Sequence, residues 1–355
     1  MKNRLQNLKK EFRLLDLDAF LVTDLVNIRY LTGFTGSNAI LLVKKNQSYL
    51  ITDFRYKEQV NKEVRDCKIF VTNTSLYVYL FQKELLKPGM RVGFEETNLP
   101  FSLYKRLKKL FKGIKFLPFS DIIENISIIK DDDEIRSTKK AAEISDRAFN
   151  YILELIKPGL SEIEIASELS YRMKLLGSEG DAFDIIVASG KNSSLPHLKP
   201  TPRKLKENDI VLMDFGAIVN GYHSDISRTI FLGKPSNEEK EIYQIVLDAQ
   251  KVALTNAREG ILARDLDGLA RDYISNKGYS KYFIHSLGHG LGLRIHQAPK
   301  VSFLSNEVLK ENMIITIEPG IYLPKKFGIR IEDDIVIKKD GSINLTKSTK
   351  EIVII

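Results

Sequence analysis

Asp214 and Asp225 flank the Asn220-Gly221 pair in VLMDFGAIVNGYHSDISRTI, and two carboxylates around such a turn point to metal chemistry. Asn-Gly between apolar runs predicts a two-residue type I′ hairpin, because both residues tolerate the positive φ which that turn demands. With 220 and 221 as the loop, the numbers of opposed residues sum to 441 and Asp225 faces Gly216. Residues two apart on a strand share a face, so Asp214 and Asp225 become diagonal neighbours with Cβ atoms roughly 7 Å apart. Bare carboxylates so placed repel each other. One divalent cation, or a pair about 3.5–4 Å apart, removes the repulsion and takes oxygen ligands of this kind. A solvated strand face is the simpler reading of two acids. Against it, Asp214 directly follows Ile210-Val211-Leu212-Met213, an apolar run that predicts a buried strand.

The last quarter of the chain supplies further ligand types. HSLGHGLGLRIH sets His285, His289 and His296 among Gly288, Gly290 and Gly292. Three glycines so close would each cost a helix about 0.8–1 kcal/mol, which argues against a helical i,i+4 metal motif. Glycines beside a histidine instead predict close approach of the backbone to an ion or substrate. MIITIEPGIY ends a β-rich run on Glu318, and FGIRIEDDIVI reads as one strand. In that strand Ile329 and Ile331 point one way, and Arg330, Glu332 and Asp334 the other. Any one of these acids alone reads as surface charge. Five ligand-type residues that all end or border apolar strands do not. A set dominated by carboxylates favours Mn²⁺ or Co²⁺, with Zn²⁺ and Fe²⁺ also compatible.

The elements that must position these residues divide into two domains, since 355 residues exceed what one core usually serves. The charged stretch Lys130-Asp131-Asp132-Asp133-Glu134 places the boundary at 130/131 and offers an N-cap and first-turn acids to a helix. That helix carries Ala141, Ile144, Ala148, Ile152 and Leu155 at helical spacing. All five histidines, His197, His223, His285, His289 and His296, follow the boundary, so chemistry is expected in residues 131–355. Gly159-Leu160 opens an amphipathic stretch closed by Gly177, and Gly260-Ile261 opens another closed by Gly278, a faint internal repeat.

Charge and composition exclude several classes. Residues 1–130 carry 23 Lys+Arg against 13 Asp+Glu, whereas residues 131–355 carry 31 against 33, so the net +8 is N-terminal. Part of it is YKRLKKLFKGIK at 104–115, where Tyr104, Leu107, Leu110 and Phe111 form an apolar stripe. The stripe predicts a helix packed on its own domain, with a nucleic-acid or membrane surface as the alternative. No aromatic-interleaved basic motif or zinc-finger spacing supports nucleic-acid binding. No stretch approaches the ~20 apolar residues of a membrane span, and no uninterrupted apolar export segment follows the N-terminus. The lone Cys67 excludes an intrachain disulfide and suits a reducing compartment, so a cytoplasmic protein is expected.

The segments MDFGAIVNGYHSDISRT, HSLGHGLGLRIH, IEPGIY and GIRIEDD, with DIIVASGKNSSLPH upstream, together resemble the pita-bread metallopeptidases of family M24. The likeness is to their Xaa-Pro aminopeptidase and Xaa-Pro dipeptidase (prolidase) branch. NIRYLTGFTGSNAILLV and ITDFRYKEQ resemble the creatinase-type N-terminal domain of those enzymes. The resemblance implies an α+β chain: a smaller α/β creatinase-type domain over 1–130, then a pita-bread catalytic domain over 131–355. It implies a two-metal site with Asp214, Asp225, His289, Glu318 and Glu332 as ligands and a hydroxide between the ions as nucleophile. Glu318 would double as general base. His296 would hold substrate and stabilise the tetrahedral intermediate, and His197 would line the substrate site. His285, His223 and Arg330 are expected in supporting roles around ligands or substrate.

This chain departs from the family pattern at Leu198, where a Gly is usual, and at Gln297, where an acid is common. The first reading is a Xaa-Pro aminopeptidase acting on peptides with proline second, the expected partners being those peptides and a second copy in a homodimer. The alternative is a dipeptidase restricted to Xaa-Pro dipeptides. Methionine aminopeptidase, metal-free creatinase and a non-catalytic binding module on the same fold are more remote. The intact set of five and the N-terminal segments argue against all three.

Overall fold

Short apolar runs separated by turns build a six-stranded sheet from β1 (Ala19–Val22), β2 (Ala39–Lys44), β3 (Ser48–Asp53), β4 (Lys68–Thr72), β5 (Arg91–Glu95) and β6 (Lys115–Phe119). The computed structural model describes residues 4–355, in two compact units that divide between Ser127 and Ile128. The sheet belongs to the first unit. Its order is β4-β3-β2-β1-β5-β6, antiparallel from β1 through β3 and parallel at both flanks. The Phe101–Leu110 helix buries Leu107, and Phe111 follows it, in the core of this unit. The lysine-rich segment is thus a helix packed on its own unit. Cys67 lies in the same unit, and burial pushes its thiol up to about 12, which keeps it protonated and inert.

The second unit begins with the capping that its acids predict. Asp131 accepts from the Glu134 N–H while the Glu134 side chain accepts from the Asp131 N–H, and the helix Asp132–Leu155 follows. The glycine echo is a structural repeat. Gly159 N–H donates to Leu205 O and Leu205 N–H to Leu160 O; likewise Gly260 N–H donates to Leu309 O and Leu309 N–H to Ile261 O. Each loop leads into a 14-residue helix, Glu162–Leu175 or Ala263–Asn276.

Three strands, β7 (Ile186–Ser189), β8 (Ile210–Phe215) and β11 (Ile226–Phe231), make an antiparallel sheet in the order β11-β8-β7. Between β8 and β11 lies the small hairpin of β9 (Ile218–Val219) and β10 (Tyr222–His223). Asn220 and Gly221 take φ of 52° and 79°, and the register runs Val219↔Tyr222, Phe215↔Ile226 and Asp214↔Ser227. The turn therefore fixes the pairing over both ladders, with opposed numbers summing to 441 throughout. The second half contributes β12 (Gly288–Gly290), β13 (Gln297–Val301), β14 (Ile314–Ile317), β15 (Gly320–Leu323), β16 (Phe327–Arg330), β17 (Asp333–Lys338) and β18 (Gly341–Asn344). Five of these form the sheet β13-β12-β14-β17-β18, and β15 pairs with β16.

One expectation fails here in an informative way. FGIRIEDDIVI is not one strand: it breaks after Arg330, so β16 and β17 belong to different sheets and Ile331-Glu332 form the corner. The physical reason is Arg228. Its five N–H groups go to Thr349 O, Ser227 O, Glu332 O, Ser348 O and the Asp333 carboxylate, the last at 2.7 Å. With Glu332 N–H donating to Ser227 O, the backbone at 332 is tied to β11 and leaves the β15 ladder.

Arg228 is 1 % exposed, and Asp333 is fully buried. Replacing Arg228 leaves the buried Asp333 with Lys350 as its remaining counter-charge and strips the donor from four carbonyls. Arg228→Met is expected to cost roughly 3–5 kcal/mol, read as a lower denaturant midpoint. An unchanged midpoint would contradict the role given to this residue.

Candidate functional site

A cavity of about 630 Å³ opens in the second unit. Its wall gathers Asp214 at the end of β8, Asp225 just before β11, His289 in β12, Glu318 just after β14 and Glu332 at the β16/β17 corner. His197, His285, His296 and Arg330 share the same wall. His223 does not lie on it: its Nδ1 sits 2.9 Å from Gly292 O, on the loop beyond β12. Asp225, His289 and Glu332 each offer a ligand atom, all within 4.8 Å of one another. His289 Nε2 also lies 3.6 Å from Asp225 Oδ2 and 3.6 Å from Glu318 Oε1.

The glycines around His289 serve a different purpose from the one expected. A Cβ at Gly288 would lie 2.0 Å from Thr316 O, and one at Gly290 would lie 2.2 Å from Ala298 O. They let β14 and β13 close on β12, so the close approach is strand to strand rather than backbone to ligand. The imidazole between them is held by Nδ1, 3.1 Å from Gly290 O, which leaves Nε2 as the free lone pair facing the acids. Burial, followed by the nearby His296, lowers its pKa to about 4, so it is neutral.

The acids behave as a crowded set. Burial and then the charges of Glu332 and Asp214 raise Asp225 well above the carboxylate range. Burial and the Glu318 and Asp214 charges do the same to Glu332. Glu318 is raised by burial and Asp214, against the lowering effect of Arg330. The Arg330 Nη2 donates to Asp214 Oδ2 at 2.5 Å, its Nε to Ser227 Oγ at 2.7 Å and its Nη1 to Tyr322 OH at 2.7 Å. Ser227 in turn donates to Glu332 Oε2 at 2.7 Å. Tyr322 OH lies 3.1 Å from His285 Nε2, and His285 Nδ1 is 2.8 Å from Ser286 O. Burial, and then the Arg330 charge, lower His285 to about 3; the neutral ring accepts from Tyr322.

Sequence reasoning missed Ser227 and Tyr322. Ser227 was within reach, because the sum of 441 sets it opposite Asp214. Tyr322 carried no such signal, since its position depends on the β15–β16 pairing that sets Gly320 against Arg330.

This wall suits a divalent cation. Asp214 Oδ1 and Asp225 Oδ1 are buried without a hydrogen-bond partner, beside a neutral imidazole with a free lone pair. Such an oxygen-rich set matches hard or borderline ions. Without an ion the wall is a cost. A carboxyl with a raised folded pKa contributes stability below its unfolded pKa and loses it as pH rises through the folded value. Asp225→Asn should therefore raise the stability of chelator-stripped protein at pH 8 by about 0.5–2 kcal/mol, a gain that shrinks toward pH 5. Lower stability of this variant at pH 8, measured by denaturant unfolding, would contradict the repulsion.

Comparison with known proteins agrees with this geometry. Residues 136–339 match the model of metallopeptidase family M24, and residues 4–129 match that of the creatinase/prolidase N-terminal domain. A Xaa-Pro dipeptidase of Pyrococcus horikoshii is 40% identical, over 98% of this chain and 99% of its own. Among solved structures, a Xaa-Pro dipeptidase from Bacillus anthracis is 42% identical with a TM-score of 0.96, covering 100% of this chain and 99% of that one. The X-Pro aminopeptidase from Thermotoga maritima is 40% identical with a TM-score of 0.92, covering 98% and 100%. With both units matched and relatives aligned almost end to end, the chain belongs to metallopeptidase family M24, on a pita-bread fold preceded by a creatinase-type N-terminal domain.

Proposed function

We propose that the protein is a Xaa-Pro dipeptidase whose Asp214, Asp225, His289, Glu318 and Glu332 hold two divalent ions, Mn²⁺ ahead of Co²⁺, Zn²⁺ or Fe²⁺. The observation that carries this reading is the convergence of these five residues on one cavity wall, with two buried carboxylate oxygens unpartnered. Ions bound there supply an activated water and polarise a carbonyl.

The chain's own residues supply the rest. Glu318 is the general base, a carboxylate on the cavity wall whose side chain is 17 % exposed. Thr316 Oγ1 donates to Glu318 Oε1 at 3.3 Å and helps orient it. His296, whose ring centroid is 4.4 Å from that of His289, offers an N–H to the carbonyl oxygen as charge develops there. His197, on the same cavity wall, contacts substrate. Arg330 positions Asp214, and His285 steadies Tyr322 behind it. His223 acts on the Gly292 backbone rather than on substrate. Proline in second position removes the scissile N–H, so this site is proposed to act on a tertiary amide without that donor.

The dipeptidases of P. horikoshii and B. anthracis favour the dipeptidase reading over the aminopeptidase one first expected. The T. maritima aminopeptidase keeps the latter as a second reading. Among the described residues no helix is long and apolar enough to cross a membrane. A cytoplasmic homodimer acting on free peptides completes the proposal.

Hydrolysis by chelator-stripped protein, with and without Mn²⁺, tests it on Xaa-Pro dipeptides and Xaa-Pro-Yaa tripeptides. Turnover should require the metal and favour dipeptides. In Asp225→Asn it should fall by more than the roughly 10–100-fold that altering an outer partner costs. Preference for tripeptides would move the assignment to an aminopeptidase, and no metal-dependent turnover at all would overturn it.

A further inference from the structure

Gln250, in the helix Asn237–Asn256, is fully buried and does not line the cavity, yet its side chain reaches the backbone beside two of the acids that do. Its Nε2 donates to Ile317 O at 3.1 Å and to Ile331 O at 3.3 Å, and these residues directly precede Glu318 and Glu332. A carboxamide nitrogen carries two N–H donors, so both are spent here, while Oε1 is buried without a partner. The amide is fixed by these two bonds alone.

The place it holds is a gap between two ladders. The β14–β17 pairing runs as far as Ile317↔Asp333, and the β15–β16 pairing begins at Gly320↔Arg330. Opposed numbers sum to 650 in both ladders, so the register sets Glu318 across from Glu332 within the gap. Like charges directly opposed drive two strands apart. The backbone bond inside the gap, Ile331 N–H to Pro319 O, is long at 3.4 Å.

The internal repeat shows that helix packing does not call for an amide here. Gly159 and Gly177 correspond to Gly260 and Gly278; 260 less 159 and 278 less 177 both give 101, an offset that carries Phe149 onto Gln250. Phe149 is equally buried and stacks on Phe215, the neighbour of Asp214, with ring centroids 6.5 Å apart. The first half fills the place with an apolar ring, whereas an amide there is a cost unless its hydrogen bonds are made.

We infer that Gln250 is a positioning residue for the metal site: its carboxamide clamps the backbone before Glu318 and Glu332, so that the two opposed carboxylates keep the spacing an ion requires. The inference rests on the reading of these glutamates as metal ligands.

The test is calorimetric Mn²⁺ titration of chelator-stripped wild type, Gln250→Met, Gln250→Glu and Ile274→Ala, with kcat and KM for an Xaa-Pro dipeptide measured at saturating Mn²⁺. Gln250→Met keeps the length but no donor, and its Mn²⁺ dissociation constant should rise about 10–100-fold, as altering an outer partner of a metal site does. Gln250→Glu, neutral when buried, keeps one donor and should show a smaller rise. In both, kcat should fall while KM holds, since no contact to substrate is lost. Ile274→Ala hollows the same apolar cluster from the following helix and should leave the dissociation constant unchanged. Wild-type dissociation constants in both Gln250 variants, or an equal rise in Ile274→Ala, would overturn this inference alone. A wild type that binds no Mn²⁺ would sink the ligand reading with it.

Discussion

The second unit is organised around the mutual repulsion of carboxylates held out of water. Asp214, Asp225, Glu332 and Asp334 are all buried, and Glu318 lies beside them. In a low-dielectric interior such charges persist only when paired, hydrogen-bonded, protonated or bound to an ion. The chain supplies part of the answer. Arg330 neutralises one oxygen of Asp214, and Ser227 donates to Glu332. Asp225 N–H donates to Asp334, which ties the two acids through the backbone. These contacts leave Asp214 Oδ1, Asp225 Oδ1 and Asp334 Oδ1 unpartnered. Asp214 and Asp225 line the cavity wall, where a divalent ion would partner their free oxygens.

That arrangement also explains why two similar halves are needed. Asp214 and Asp225 come from the first half of the unit, and His289, Glu318 and Glu332 from the second. Arg228 joins them by holding the Ser227 and Glu332 carbonyls together with the Asp333 carboxylate. The corner it enforces turns Glu332 toward the cavity. A continuous strand would have carried that side chain along the β15 ladder instead.

Much of this was legible in the residues. Asn220-Gly221 set a register that extends to Asp214↔Ser227, because a type I′ turn leaves the flanking ladders no freedom to slip. The Asp131 cap and the paired glycines at 159/177 and 260/278 mark real helix boundaries, since both depend on local backbone chemistry. What escaped was set by distant partners. The break after Arg330 follows from a guanidinium about a hundred residues upstream, and Tyr322 enters the site only through sheet pairing. The glycines flanking His289 were read correctly as demanding close approach, but only the fold shows that neighbouring strands are what approach.

The most direct test of the central claim is calorimetric titration of the chelator-stripped protein with Mn²⁺ at pH 7, repeated in buffers of different ionisation enthalpy. Carboxyls with raised pKa values hold protons in the metal-free site, and ligands must lose theirs to bind. The account predicts binding that releases protons, with affinity that falls as pH drops and is lost when Asp214 and Asp225 are both replaced by Asn. Binding without proton release, or binding that survives the double replacement, would contradict it.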